Sequence, residues 1–430
     1  MVGSSKRCWF AGGALVLLAA CSTPDSTVPT MSTTVATSAD TAPATGTAGS
    51  LALGSTQTSP TDAPITQLGM LTGPGVDDQQ IALGTLVDPA TDRGFRQGLE
   101  LWRQSTNAAD GICNREVVLS DAPDPTDLVA GYRTLGSSVL GFVDATTSAE
   151  VAPELSTLLS IDRVPALTVT GTASDLLASS PVVIGPTEDI IAINAADQLL
   201  TAGTLADGGR MGVVSDGSAA AANAVAGLRW FAARHDLTLV VQTAQGRDIQ
   251  VLAVLPVVFA LAAPDVTAAL ATDLPATTTV VTTLDGYDAT LVDAAAAAHL
   301  QIALSTPAPG ADHPGADAVG AAITAAGGVS GASTFAGYAA GAAWQRLLVA
   351  ACDAQSLTRD GVFAALTTVG PASVESLLGA SDPALPVTDR QPATRSSAVA
   401  AADPSAPTGL RPLTGLVLAD GIEEYTAPVR

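Results

Sequence analysis

The sequence predicts an α/β protein of two doubly wound lobes, each a parallel β-sheet with helices on both faces. Three observations carry this. Residues 81–119 read as strand, loop, helix, turn and strand, a βαβ opening. Strand-like and helix-like stretches go on alternating from 139 to 242, as parallel sheets require. A chain of 430 residues with 47% hydrophobic content also supplies enough apolar material for two cores.

The opening strand is the apolar run 81–87, closed by Asp88 and Pro89. After Gly94, Phe95, Leu99 and Trp102 recur on one helix face; residues 107–111 end that helix on a glycine, and 116–119 form the next strand. Residues 139–143 and 164–169 are strands around a helix at 149–159. Helix 188–200, strand 211–214, helix 219–233 and strand 237–242 make a second βαβ series. Stretch 249–263 is strongly apolar, but it is too short to span a membrane and contains Pro256, so it reads as a buried helix or strand. Strands 278–283 and 301–304 flank an alanine-rich helix at 289–299. Helices follow at 334–351 and at 358–367, the second capped by Thr358, and 413–418 reads as a closing strand. Residues 65–78 leave room for an extra N-terminal strand.

The N-terminus has a different character. Lys6 and Arg7 precede the apolar stretch 9–20, which suits the hydrophobic region of a signal peptide. It ends in Leu18-Ala19-Ala20-Cys21, which resembles a bacterial lipobox and makes Cys21 the candidate for lipidation at the extracytoplasmic face of the cell membrane. An ordinary signal peptide that contains Cys21 is the alternative. With 1–20 as signal peptide, 21–64 is almost wholly Ser, Thr, Ala, Pro and Gly without an aromatic residue, and it reads as a flexible tether. The formal net charge of −23 repels nucleic acid and anionic headgroups, so membrane attachment falls to the lipid. If Cys8 leaves with the signal peptide and Cys21 is lipidated, Cys113 and Cys352 remain. In an exported chain such a pair is more often bridged than free, with two buried thiols as the alternative.

No catalytic constellation stands out, so neither enzyme nor cofactor is expected. His235, His299 and His313 lack the i, i+4 spacing of a zinc helix, and no nucleophile elbow, phosphate loop or dinucleotide fingerprint occurs. Asp77 and Asp78 beside Gly75 lack the spacing of a calcium loop and read as a solvated turn; no metal is expected. A binding cleft needs hydroxyls and backbone NH groups at the carboxyl ends of strands. Thr147 and Ser148, in the segment that follows the strand ending at Val143 and opens a helix, would suit a carboxylate, and simple N-capping is the competing role.

Residues 107–117, Asn-Ala-Ala-Asp-Gly-Ile-Cys-Asn-Arg-Glu-Val, resemble a segment near the start of branched-chain amino-acid-type periplasmic binding proteins, the receptor components of ABC importers. Asp121-Ala-Pro-Asp-Pro stands where that family has a second acidic segment, and a fainter likeness extends to about residue 366. The resemblance implies a type I periplasmic binding protein with a multi-strand hinge. Lobe one would comprise 65–184 and the return 308–372, and lobe two 185–307, with 373–430 as hinge and closing segment. It implies capture of a small polar ligand, an amino acid, amide or related carboxylate, for an ABC permease. Ser148 matches the family's serine for the ligand carboxylate. Thr170 and Thr172 match its loop of carbonyl and hydroxyl, and Tyr287 matches an aromatic that covers the ligand from lobe two. Cys113 and Cys352 would both sit on lobe one.

Two departures bear on the ligand. Ser215-Asp216-Gly217-Ser218 lacks the family's aromatic, and Ser305-Thr306-Pro307-Ala308-Pro309 lacks the acid that amino-acid receptors place there for an ammonium. A buried ammonium without a carboxylate is unfavourable, so a ligand other than an ordinary amino acid is expected. The departures keep a second reading open: a non-transport envelope lipoprotein on the same fold, its cleft degenerate, used for sensing or protein contacts.

Overall fold

The structure is a computed structural model that describes residues 65–67, 69–86, 92–123, 127–144, 153–328, 331–369, 376–379 and 392–427. The signal peptide, Cys21, the tether, Thr147 and Ser148 lie outside the described residues.

In chain order, the first part comprises β1 (Ile65–Gln67), β2 (Met70–Thr72), β3 (Gln80–Thr85), α1 (Arg93–Ala108), β4 (Glu116–Asp121), α2 (Leu128–Leu135), β5 (Gly141–Asp144), α3 (Pro153–Ile161), β6 (Ala166–Thr168) and β7 (Val182–Val183). Then come α4 (Glu188–Thr201), β8 (Arg210–Ser215), α5 (Ala219–Arg234), β9 (Thr238–Thr243), α6 (Ile249–Leu252), β10 (Val257–Leu261), α7 (Pro264–Asp273), β11 (Thr279–Thr283), α8 (Ala294–Ala297) and β12 (Leu300–Leu304). The last part holds α9 (Pro314–Ala325), α10 (Ala332–Asp353), β13 (Ser356–Leu357), α11 (Arg359–Thr368), β14 (Ala398–Ala402) and β15 (Leu410–Pro412).

Among the described residues two main sheets form. The first is parallel, in the order β4-β3-β5-β6-β7; the second runs β15-β14-β12-β11-β10-β8-β9, parallel except for the antiparallel β14 and β15. β1, β2 and β13 make a small third sheet. In β10 all five residues are buried, as expected of a strand covered on both faces. That explains the apolar stretch 249–263, which divides at Pro256 into the short α6 and this strand.

The first lobe is built on the pairing of α1 with α10. Phe95, Leu99 and Trp102 on α1, and Phe335 and Trp344 on α10, are buried in one core with Ile81 and Leu83 of β3. Each such side chain contributes about 1.5–3 kcal/mol by burial. The helices approach so closely that a Cβ at Gly98 would strike the Thr334 carbonyl, and one at Gly337 the Phe95 carbonyl. Trp102 Nε1 donates to Gln345 Oε1 across the same interface at 3.1 Å. A Cys113–Cys352 disulfide ties the turn after α1 to the end of α10, with the Cα atoms 6.4 Å apart. α9 returns to this core through Ala316, Val319 and Ile323.

Several expectations need correction. The helix expected at 289–299 shrinks to α8, because Asp288 Oδ1 accepts from the Thr290 amide and hydroxyl in a turn and Asp293 caps a later start. Residues 413–418 form no strand: the sheet closes earlier through β14 and β15, and Val417 makes only an isolated bridge to Ser397. β14 reads Ala-Val-Ala-Ala-Ala, a composition of weak strand preference that hides it in the sequence. As expected, Thr358 caps α11 by accepting from the Gly361 amide, and Asp77 closes a turn by accepting from the amides of Gln79 and Gln80. No helix of the described residues is long and apolar enough to cross a membrane.

Candidate functional site

Helix starts and strand ends from both sheets converge on one cavity of about 380 Å³. The first lobe supplies Asp92 and Phe95 at the start of α1, Thr168 to Thr172 after β6, and Ser333 and Ala336 in the first turn of α10. The second supplies Glu188 and Ile191 from α4, Ala220 from α5, Thr283 to Asp285 after β11, and Ala303 and Ser305 at the end of β12. This is where α/β sheets place ligands, and the volume suits a small molecule. A second cavity of about 540 Å³ lies between α9 and the β14–β15 turn, but Asp317 is its sole charged lining residue among those described.

The loop after β6 is held by its own hydroxyls. Thr168 Oγ1 donates to the Thr170 carbonyl at 2.7 Å, and the Thr172 amide and Oγ1 both donate to the buried Asp175 Oδ2 at 2.7 and 2.8 Å. Thr172 therefore presents its oxygen to the cavity as an acceptor only, whereas the half-buried Thr170 makes no such side-chain bond. Directly below, the Glu188 amide donates to the Gly171 carbonyl, so α4 of the second lobe starts against this loop.

α4 is fixed along its length. Asn194 Nδ2 donates to the Arg395 carbonyl and to Ser397 Oγ, and Asn194 Oδ1 accepts from the Ala419 amide at 2.8 Å. Asp189 is fully buried and satisfied: the Tyr425 hydroxyl donates to it at 2.7 Å, Thr187 Oγ1 donates to it, and so does the Ile190 amide. Its neighbour Glu188 is also buried but differs in its partners. Only 6% of it is exposed, its carboxyl faces the cavity, and no donor reaches that carboxyl among the described residues.

Burial first, then the charges of Asp285 and Asp189, push the Glu188 carboxyl up to about 8. Asp285 is likewise raised, by the protein packed around it and by Asp92 from the opposite wall, although it stays accessible from the cleft. Accessibility lets water screen that carboxyl, so the shift at Glu188 carries more weight. Carboxylates absent near Leu304 thus stand elsewhere on the cavity wall, at Glu188 on a helix start and Asp285 in a strand-end turn.

The five expected ligand residues fare differently. Thr170 and Thr172 line the cavity. Tyr287 does not: its hydroxyl donates to the Gly409 carbonyl at 2.7 Å, pinning the ring to the β14–β15 turn. Thr147 and Ser148 lie outside the described residues. At the aromatic-free segment after β8, Ser218 caps α5 by accepting from the Ala221 amide, and the small Ala220 forms the wall. Sequence reasoning missed Asp92, Glu188 and Asp285, although Asp285 precedes the Gly286-Tyr287 pair that drew attention.

No protein-family model matches the chain, and no curated protein matches it by sequence. Solved structures match throughout the fold. The chain is similar to a fatty acid ABC transporter substrate-binding protein from Thermomonospora curvata, with 21% identity over 84% of this chain and 98% of that one, TM-score 0.71. It is similar to an ABC transporter substrate-binding protein from Aeropyrum pernix, with 16% identity over 80% and 97% of the two chains, TM-score 0.65. It also resembles a branched-chain amino acid ABC transporter protein from Thermus thermophilus with bound valine, with 16% identity over 80% and 98%, TM-score 0.60. The fold is the α/β fold of type I periplasmic binding proteins.

Proposed function

We propose that this chain is an extracytoplasmic solute-binding protein, tethered through a lipid on Cys21, that closes on a small polar ligand and delivers it to an ABC permease. One observation carries the reading: the nearly buried Glu188 carboxyl, which no donor of the described residues reaches, lines a cavity of about 380 Å³ walled by both lobes. A buried carboxylate left unpaired is unfavourable, and a ligand N–H would relieve it. The mixture of carboxylates, hydroxyls and apolar walls suits a ligand with at least one amine or amide group.

The degenerate-cleft reading draws on Tyr287, which offers the cavity no aromatic cover. A thermal-shift screen with amino acids, amides, amines and carboxylates separates the two, since ligands that bind the folded state raise the melting temperature. We expect at least one class to raise it and to shrink the radius of gyration in solution scattering. A flat screen with unchanged scattering would reject capture in favour of the degenerate cleft.

A further inference from the structure

The charge of the cleft restricts the ligand more than its size does, and a ligand class assigned on that charge rests on the capture of a ligand proposed for the same cavity. Asp92, Glu188 and Asp285 come from three separate elements, one on the first lobe and two on the second, and all line the cavity. Among the described residues no lysine, arginine or histidine lines it.

A cluster of acids can be a solvated surface, but Glu188 is not one: it is 6% exposed, directed at the cavity and without a hydrogen-bond donor. Its buried neighbours Asp175 and Asp189 show how this fold treats structural carboxylates, giving each amide and hydroxyl donors. Glu188 receives nothing from the described residues. Nor do the acids form a metal site: among the described residues no three His, Cys, Asp or Glu groups converge closely enough to hold an ion. Carboxylates spread around a cavity fit a cation whose charged N–H groups are likewise spread. Thr172, restricted to accepting, suits a donor as well.

We propose that the ligand is a small organic cation of net positive charge, of the amine or guanidine class, whose N–H groups bridge Glu188 and Asp285 of the second lobe to Asp92 of the first. Bound there, its N–H groups draw the Glu188 proton off and join the acids of the two lobes. A neutral zwitterion would add a carboxylate to a cavity that already has three acids, and a fatty acid would add one with no cation to offset it.

The test is isothermal titration of the full chain at pH 7.5 with arginine, agmatine and putrescine as cations, leucine and glutamine as zwitterions, octanoate as an anion, and calcium chloride. At least one organic cation should bind, more weakly as salt rises. Glu188→Gln and Asp285→Asn should each weaken that binding about 10- to 100-fold, the usual loss for a charged hydrogen bond. Circular dichroism of both variants checks that they fold. Binding of leucine, glutamine, octanoate or calcium with the cations inert would overturn the cation assignment and leave ligand capture standing. Cation binding that survives both substitutions would also overturn it. No binding by any probe would overturn both.

Discussion

Replacing Glu188 by glutamine should make the ligand-free protein more stable while it weakens the proposed ligand binding. An ordinary glutamate titrates near 4.5, and Glu188 is pushed up to about 8 by burial and by the charges of Asp285 and Asp189, with no base facing it from the cavity walls. Between those limits the folded protein keeps a proton that the unfolded chain has released. Stability conferred by that proton is complete below about pH 4.5 and is lost as the pH rises through about 8, at about 1.4 kcal/mol per pH unit. By pH 7.5 the loss amounts to about 4 kcal/mol. Glutamine cannot ionise and escapes it. For a chain of this size 4 kcal/mol corresponds to about 5 °C in melting temperature. Thermal denaturation of wild type and Glu188→Gln from pH 4.5 to 8.5 should give curves that meet at the acid end and diverge towards alkaline pH, the variant above. A variant less stable at pH 8, or a difference constant across the range, would refute the reasoning, because it would mean that Glu188 has a stabilising partner.

Three other perturbations have expected outcomes. Reducing the Cys113–Cys352 bond should lower stability by about 2–5 kcal/mol, and thiol labelling of the unreduced, denatured mature protein should find neither cysteine; quantitative labelling of both would contradict the bond. Tyr287→Phe removes one hydrogen bond to the β14–β15 turn, so it should lower stability by about 1 kcal/mol and leave ligand affinity unchanged; a loss of affinity would return Tyr287 to the site. Cys21→Ala should release the protein from the membrane fraction or leave it unprocessed, and a variant that stays processed and membrane-bound would reject the lipid anchor.

Most of the fold was legible because parallel sheets buried on both faces declare themselves as apolar runs. β10, with every residue buried, and the Phe95, Leu99 and Trp102 face of α1 are visible as patterns without coordinates. Alanine conceals the rest. β14 and the stretch 289–299 are both alanine-rich, yet one is a strand hydrogen-bonded to β12 and the other contains only one short helix. A side chain that small fits either element, and the choice falls to tertiary pairing and to the capping of Asp288 and Asp293.

The site was less legible for a different reason. Hydroxyl-bearing loops after strands can be found by position, and Thr170 and Thr172 do reach the cavity. Carboxylates cannot be sorted that way. Glu188 and Asp189 are adjacent at the start of one helix, where either would be read as a favourable partner for its dipole. What separates them is contact made over more than two hundred residues of chain, since Tyr425 returns to donate to Asp189 and no donor among the described residues returns for Glu188. The same rotation of the helix that buries one acid in a hydrogen-bonded network aims the other into the cleft. A helix start that holds two acids, one satisfied and one unsatisfied, thus couples the position of α4 to the charge of the cavity.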